Sequence, residues 1–460
     1  MQYVNRSIGK TVNNLVRVRT YQFHVIAMDD KLIDEWIKNQ TAKNRSCLKS
    51  SYKHFDCKKI AADYRPGGKY RNDLSFLFNL ITYKFWPLIR IDQKKRRYTK
   101  NIKNKLEIKQ KKRPIMYPAH RDSCVMSFYA FLLKGNYESM IKNTKLANCV
   151  LGYRKIPVNS RRSKNKSNIN FANDLYDSLQ YMNSHVVLCI DIKGFFDNIN
   201  HAMLKDSMTP FSQNVPAKNL EIILKNVTKY RYVFAEDVKQ LLGSRSWINP
   251  GLYNKVLRDT SLIHKNKKPY GIPQGTPISD ILSNIYMYNF DKAVIAELES
   301  MEEFTLYRRY CDDILVAIPC RYANKIYNFL SNEIEKYKLK IGADKTEAFY
   351  INAKDKVLKD ITREYVKDYR KNKVFIQYLG FYMNLDKIII RSSTVEAHYR
   401  KIKNIEGTRR YIDGSINENH FDSYEKNSSK IIDNKSIRKQ VSNIKKHTKK
   451  ILRTNAKNKS

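Results

Sequence analysis

This sequence predicts an α+β fold, and three features carry that expectation. Short apolar runs of strand-forming residues end on acidic side chains, as in HVVLCID (His185–Asp191) and in RRYCDDILVAI (Arg308–Ile318). Long helical stretches separate these runs, in the order strand, helical insertion, turn and helix, hairpin, helix, strand. Charged residues fall at strand ends and turns, where sites on such sheets usually lie.

Taken in order, residues 1–90 read as mixed and mostly helical, with the aromatic segment LSFLFNLITYKFWPLI (Leu74–Ile89) expected as a buried helix. Lys94 to Arg113 is a charge run of 11 basic residues against one acidic residue, Glu107. Such runs form solvated faces or disordered arms; Tyr98, Ile102, Leu106 and Ile108 recur at roughly helical spacing, so a basic, phosphate-binding helix is the other expectation. Residues 120–150 read as helix through CVMSFYAFLL, then NCVLGYRK follows, and Asn159–Asn168 is polar and reads as an exposed loop. HVVLCID is a short buried strand ending on a charge. Residues 202–268 are polar and helical. GIPQGTPISD is a Gly/Pro turn that becomes a helix, with Ser279 or Asp280 near its N-terminus and Ile281, Ile285, Tyr288 and Ala293 on its apolar side. A hairpin around Asp312, a helix from about Asn324 to Tyr337, a turn and strand in KIGADKTEAFYI, and a glycine-kinked strand in FIQYLGFYM complete the sheet. From Lys401 onward, 16 basic and 6 acidic residues with thin apolar patterning suggest a small basic helical appendage.

With 460 residues the chain is long enough for two or three domains. It carries 87 Lys and Arg against 44 Asp and Glu, a formal charge of +43. Self-repulsion on that scale calls for a polyanionic partner: nucleic acid first, an anionic membrane surface second. An AT-rich coding bias, with Lys, Asn, Ile and Tyr all abundant, is the plain alternative. The seven cysteines include no CxxC pair and no zinc spacing, which fits a reducing compartment. The N-terminus has no signal-peptide apolar core, and no stretch approaches the roughly 20 apolar residues of a membrane span. The expectation is a soluble, cytoplasmic protein that does not engage a membrane.

Asp312 and Asp313 pose the central question, because adjacent like charges raise each other's pKa and strain a fold unless a cation compensates. Oxygen-only ligands favour Mg²⁺, with Mn²⁺ as substitute. Asp191 offers a third carboxylate at a strand end. If the two strands are neighbours, the three acids meet at one sheet edge, an arrangement that can hold two metals about 3.5–4 Å apart for in-line displacement at phosphorus. A lone Asp-Asp pair is usually a turn and a lone Asp after an apolar run a helix cap; the joint pattern is what speaks for a site.

These residues carry a family resemblance. VVLCIDIKGFFDNINH (Val186–His201) resembles the first palm motif of reverse transcriptases, GIPQGTPISDILSNIYM their Pro-Gln-Gly motif, and LYRRYCDDILVAIP their Tyr-x-Asp-Asp hairpin. LKIGADKTEAFY and YLGF (Tyr378–Phe381) match the two motifs that follow, in the family's order. KKRPIMYPAHRDSCVMSFYAFLL and NCVLGYRK are similar to the fingers motifs of bacterial members. The resemblance covers about residues 110–385 and implies a right hand: residues 1–105 a basic helical N-terminal extension, 106–184 fingers, 185–384 palm with a helical insertion at about 202–268, and 385–460 a basic helical thumb and tail.

The resemblance also implies roles. Asp191 and Asp312 would be the principal ligands of two Mg²⁺ ions, Asp313 a weaker one, and Ile192 a ligand through its carbonyl. Phe196 stands at the steric-gate position, where a ring would exclude a ribose 2′-OH; on its own it reads equally well as a core residue. Pro273, Gln274 and Gly275 would line the nucleotide pocket. Lys112, Arg113 and Arg121 would meet the triphosphate. Lys345 would approach the pyrophosphate and donate a proton; a surface lysine after a turn is its plain reading. Tyr378, Leu379, Gly380 and Phe381 would form the primer grip. The expected activity is RNA-directed DNA polymerisation, with dNTPs, an RNA template and a DNA product. Without recognisable endonuclease or retron hallmarks, the sequence looks most like defence-associated, abortive-infection enzymes that act with a dedicated non-coding RNA. Untemplated or protein-primed DNA synthesis, RNA synthesis on the same fold, and a non-enzymatic basic RNA-binding scaffold are the competing expectations.

Overall fold

The structure, a computed structural model, describes residues 30–41, 54, 77, 79–100, 106–159, 164–242, 260–367, 369, 372–405 and 422–457. Several expected segments lie partly outside the described residues: positions 1–29, 42–53, 55–76 and 78 of the N-terminal stretch, 101–105 of the basic run, 160–163 of the polar loop, 243–259 of the insertion, and 406–421 and 458–460 of the appendage. The chain divides into two compact units. The first comprises the described parts of Met1–Asn136, Pro210–Lys268 and Pro273–Ser279; the second comprises those of Tyr137–Thr209, Pro269–Ile272 and Asp280–Ser460.

The first unit is built on a four-stranded sheet of β1 (Leu88–Lys100), β2 (Leu106–Tyr117), β4 (Arg231–Phe234) and β5 (His264–Lys265), in the order β2-β1-β4-β5. The basic run is therefore an antiparallel hairpin, not a helix, with Ile89 opposite Tyr117, Ile91 opposite Ile115 and Tyr98 opposite Ile108. The period-two alternation of Leu-Ile-Arg-Ile-Asp and Leu-Glu-Ile-Lys sets that ladder and outweighs the apparent helical spacing. The expected buried helix over Leu74–Ile89 is also corrected: residues 83–87 have no regular structure, and a strand opens at Leu88. Tertiary bonds hold this stretch extended. Buried Asp122 accepts from Tyr83 Oη at 2.6 Å and from the Trp86 N–H at 2.9 Å; ahead of the stretch, the Leu80 N–H donates to Asn219 Oδ1 at 3.2 Å.

The second unit holds a five-stranded antiparallel sheet, β6-β7-β3-β8-β9, from β3 (His185–Asp191), β6 (Leu306–Tyr310), β7 (Asp313–Pro319), β8 (Glu347–Asn352) and β9 (Val357–Asp360). β3 is central and is laddered on both sides, to β7 from His185↔Pro319 to Asp191↔Asp313 and to β8 from His185↔Ile351 to Cys189↔Glu347. Its near-continuous apolar run reflects burial of both faces. On one face Val187, Leu315, Ala317, Phe349 and Ile351 share a core with Leu175, Phe381, Ile437 and Val441. The segment FIQYLGFYM is a tight hairpin, β10 (Ile376–Tyr378) and β11 (Phe381–Met383), extended by β12 (Ile388–Ile390). Leu379 and Gly380 have φ values of +42° and +94°, so the glycine makes a two-residue turn rather than a kink. The described part of the C-terminal region forms the helices Ser392–Ile405, Asp422–Ile431 and Lys435–Lys457. The last is pinned to the sheet: Gln440 accepts from the Ile390 N–H at 2.7 Å and donates to its carbonyl at 2.9 Å. Mixed helices and antiparallel sheets make the fold α+β.

Candidate active site

The β3–β7 ladder sets Asp191 directly opposite Asp313 at the open end of the sheet. Between β6 and β7 the chain reverses through Cys311 and Asp312, with Cys311 in the left-handed region at φ +61°. The Ile192 N–H reaches over from the end of β3 to the Asp312 carbonyl at 3.0 Å. Strand pairing thus brings together the backbones of all three acids.

Their charges interact. The Asp313 carboxyl is pushed up to about 7 by the protein mass that strips its hydration and by the like charges of Asp312 and Asp191. Asp313 itself keeps exposed surface at the strand end. Lys345 and Arg391 act in the opposite sense. Lys345 lies in the turn Ala343–Lys345 and pairs through Nζ with Asp191 Oδ2. That turn is itself fastened to β3: Gly342 donates its N–H to the Asp191 carbonyl at 2.8 Å, and Lys193 donates to Lys340 O at 2.9 Å. A Cβ on Gly342 would stand 3.2 Å from the Asp191 carbonyl oxygen, so a side chain there would crowd the acid. Sequence reasoning passed over Gly342; a glycine ahead of the Lys345 turn was the only available signal.

Among the described residues no group of three His, Cys, Asp or Glu side chains is arranged to hold a metal ion as it stands. The donor chemistry nevertheless fits a hard divalent cation: the acids offer only oxygen, they repel one another, and a lysine ammonium now supplies the compensating charge.

Phe196 lies in the short helix Phe195–Asn198 and is half-buried, whereas its neighbour Phe195 is the core residue; the Phe196 carbonyl accepts from Ile272 N–H at 2.9 Å. In β10–β11, Tyr378 and Phe381 are buried and Leu379 and Gly380 half-buried. Tyr378 Oη is buried with no hydrogen-bond partner among the described residues.

The remaining expected site residues belong to the first unit. Pro273 O accepts from Ser279 Oγ at 2.5 Å, and Gln274 O accepts from the Met116 N–H at 2.7 Å. Gly275 has φ +98°, and a Cβ there would come within 2.9 Å of Ile115 Cγ2 and 3.1 Å of the Met116 carbonyl oxygen, so only glycine fits. Lys112 and Arg113 are exposed on β2, opposite Lys94 and Gln93. Arg121 sits with its guanidinium 5.6 Å from the centre of the Tyr83 ring.

Residues 136–383 match the family described as reverse transcriptase (RNA-dependent DNA polymerase). That is more than half of the chain, and the protein belongs to this family. Similar solved structures include telomerase from Candida albicans in complex with a TWJ fragment of telomeric RNA, at 14% identity and a TM-score of 0.38, over 79% of this chain and 60% of that one. Apo telomerase from Candida tropicalis is similar at 14% identity and a TM-score of 0.38, over 80% of this chain and 59% of that one. The chain therefore spans less than two thirds of these structures' length. No curated protein matches the sequence. Among the described residues no helix is long and apolar enough to cross a membrane.

Proposed function

We propose that this protein is an RNA-directed DNA polymerase that extends a primer 3′-OH with dNTPs on an RNA template. The observation that carries the reading is the register of β3 against β7, which sets Asp191 opposite Asp313 beside the Asp312 turn in a chain of this family. Asp191, Asp312, Asp313 and the Ile192 carbonyl are the groups that would hold two Mg²⁺ or Mn²⁺ ions. Such ions, when bound, supply charge neutralisation at the reacting phosphate and acidify the attacking hydroxyl.

The protein's own groups supply the rest. Lys345, paired with Asp191, releases that carboxylate and gives a proton to the departing pyrophosphate. Phe196 acts as the gate against a ribose 2′-OH. Pro273, Gln274 and Gly275 shape the nucleotide pocket, and Lys112, Arg113 and Arg121 bind phosphate. Tyr378–Phe381, closed by the two-residue turn at Leu379 and Gly380, grips the primer. The net charge of +43 suits a nucleic-acid duplex. The assignment to the defence-associated subgroup acting with a dedicated non-coding RNA rests on the sequence resemblance, and the cytoplasmic reading on the cysteine pattern.

The test is incorporation of labelled dNTPs on a primed RNA template, with Asp312→Ala alongside. Wild-type extension that the variant lacks is expected. Wild-type inactivity, or equal activity in the variant, overturns the reading. Synthesis without template, or product that stays bound to denatured protein, would move the assignment to untemplated or protein-primed synthesis, and preference for rNTPs to RNA synthesis.

A further inference from the structure

We propose that Arg309 is a positioning residue, whose buried guanidinium, clamped by Asp291 and Asn284, fixes the backbone turn that presents Asp312; its bearing on catalysis rests on the polymerase reading above. Strand alternation turns Tyr307 and Arg309 of β6 inward, toward the helices Ser279–Tyr286 and Tyr288–Glu299. Arg309 Nε donates to Asp291 Oδ1 and Nη2 to Asp291 Oδ2, both at 2.7 Å, and both side chains are fully buried. Tyr307 Oη donates to the same Oδ1 at 2.5 Å.

The third nitrogen connects this pair to the turn. Arg309 Nη1 donates to the Cys311 carbonyl at 3.1 Å and to Asn284 Oδ1 at 3.3 Å. Asn284 in turn donates to the Gly152 carbonyl at 3.0 Å, and the Leu151 N–H donates to the Arg309 carbonyl at 2.8 Å. Gly152 backs the turn so closely that a Cβ would lie 2.7 Å from the Cys311 nitrogen. Arg154 holds this segment from behind, bonding Glu138 in bidentate fashion and the carbonyls of Ala147 and Val150. The Cys311 carbonyl is thus held from inside, the Cys311 nitrogen is backed by Gly152, and the Asp312 carbonyl is tied to Ile192.

Stability alone does not call for this arrangement. Well-packed apolar residues can replace a buried ion pair at little or no cost. They would leave the Cys311 carbonyl, in a turn with a non-glycine residue at positive φ, without its donor. A lysine preserves the charge but lacks the planar fork that reaches two carboxylate oxygens and a carbonyl together.

The test uses the full-length protein and Arg309→Lys, with two readouts. One is single-turnover primer extension per active site; the other is the alkylation rate of Cys311, a free thiol only 4% exposed, followed by peptide mass spectrometry without metal or nucleotide. The expected rate per active site falls about 10²-fold, the cost of misplacing a reacting group by about 1 Å, with KM for the primed template little changed. Cys311 is expected to alkylate faster in the folded variant. Wild-type rate per active site together with wild-type alkylation would overturn the proposal, leaving Arg309 a structural ion pair. If Arg309→Lys does not fold, Tyr307→Phe removes one bond to Asp291 and is expected to lower the per-site rate by about three- to tenfold, judged by the same two readouts. A wild-type protein that extends no primer would sink the polymerase reading, while the alkylation contrast would still decide whether Arg309 sets the turn.

Discussion

Lys345 and Asp191 are joined twice. Their side chains form an ion pair, and Gly342, three residues before the lysine, donates its N–H to the Asp191 carbonyl at 2.8 Å. The lysine is therefore carried on a turn that cannot drift from the end of β3 without breaking backbone bonds as well.

Lys345→Ala is expected to lower the single-nucleotide incorporation rate by about 10²-fold, the usual worth of a positioned general acid, with a smaller change in KM for dNTP. Rapid-quench incorporation measures both. An unchanged rate would reduce Lys345 to a charge partner of Asp191.

Phe196→Ala is expected to narrow the preference for dNTPs over rNTPs by about 10²-fold, mainly through faster rNTP use. Competition between dATP and ATP on one primed template reads this directly. Because Phe195 is the core residue of the pair, the Phe196 variant should fold normally; a constant ratio would remove the gate assignment.

Gly275→Ala places a methyl where φ is +98° and Ile115 and the Met116 carbonyl leave no room. The expected cost is about 1–3 kcal/mol of stability. A thermal melt would show it, and a raised KM for dNTP should accompany it if Gln274 shifts with its neighbour.

Asp360 supplies a pH signature away from the proposed chemistry. Burial works against its charge, but bonds from the Thr362 hydroxyl and N–H, the Lys373 N–H and the Tyr369 hydroxyl outweigh it and hold the carboxyl below its usual value. A folded-state pKa below the unfolded one contributes stability above the unfolded value of about 3.9 and loses it as pH falls through the folded value. Asp360→Asn is expected to cost on the order of 1 kcal/mol at pH 7, given solvent access to the group. Urea melts should show the gap from wild type closing below about pH 4. A gap that persists at low pH would assign the loss to packing.

Much of the second unit was legible from the residues. HVVLCID and ILVAI are apolar strands that meet in the ladder placing Asp191 opposite Asp313, and the helix expected near Asn324–Tyr337 forms as Ala323–Lys336. The basic hairpin hides its two-residue period behind lysine and arginine, and the conformation of the 83–87 stretch depends on Asp122, remote in sequence. The Arg309–Asp291 pair was invisible for a related reason: a charge in a strand declares its burial only when the covering helix supplies a countercharge. The sole hint was an arginine at an inward position of a strand, two residues before Cys311.

The central place of β3 has a consequence for how this chain tolerates change. Its two flanking ladders act as a ruler, so that the spacing of Asp191 and Asp313 is measured in strand pairs and not along the polypeptide. Lengthening the segment between β3 and the Gly-Ile-Pro-Gln-Gly turn adds only a slowly growing loop-closure cost. New residues in a loop of that segment, outside its helices, β4 and β5, would leave the acidic centre its dimensions.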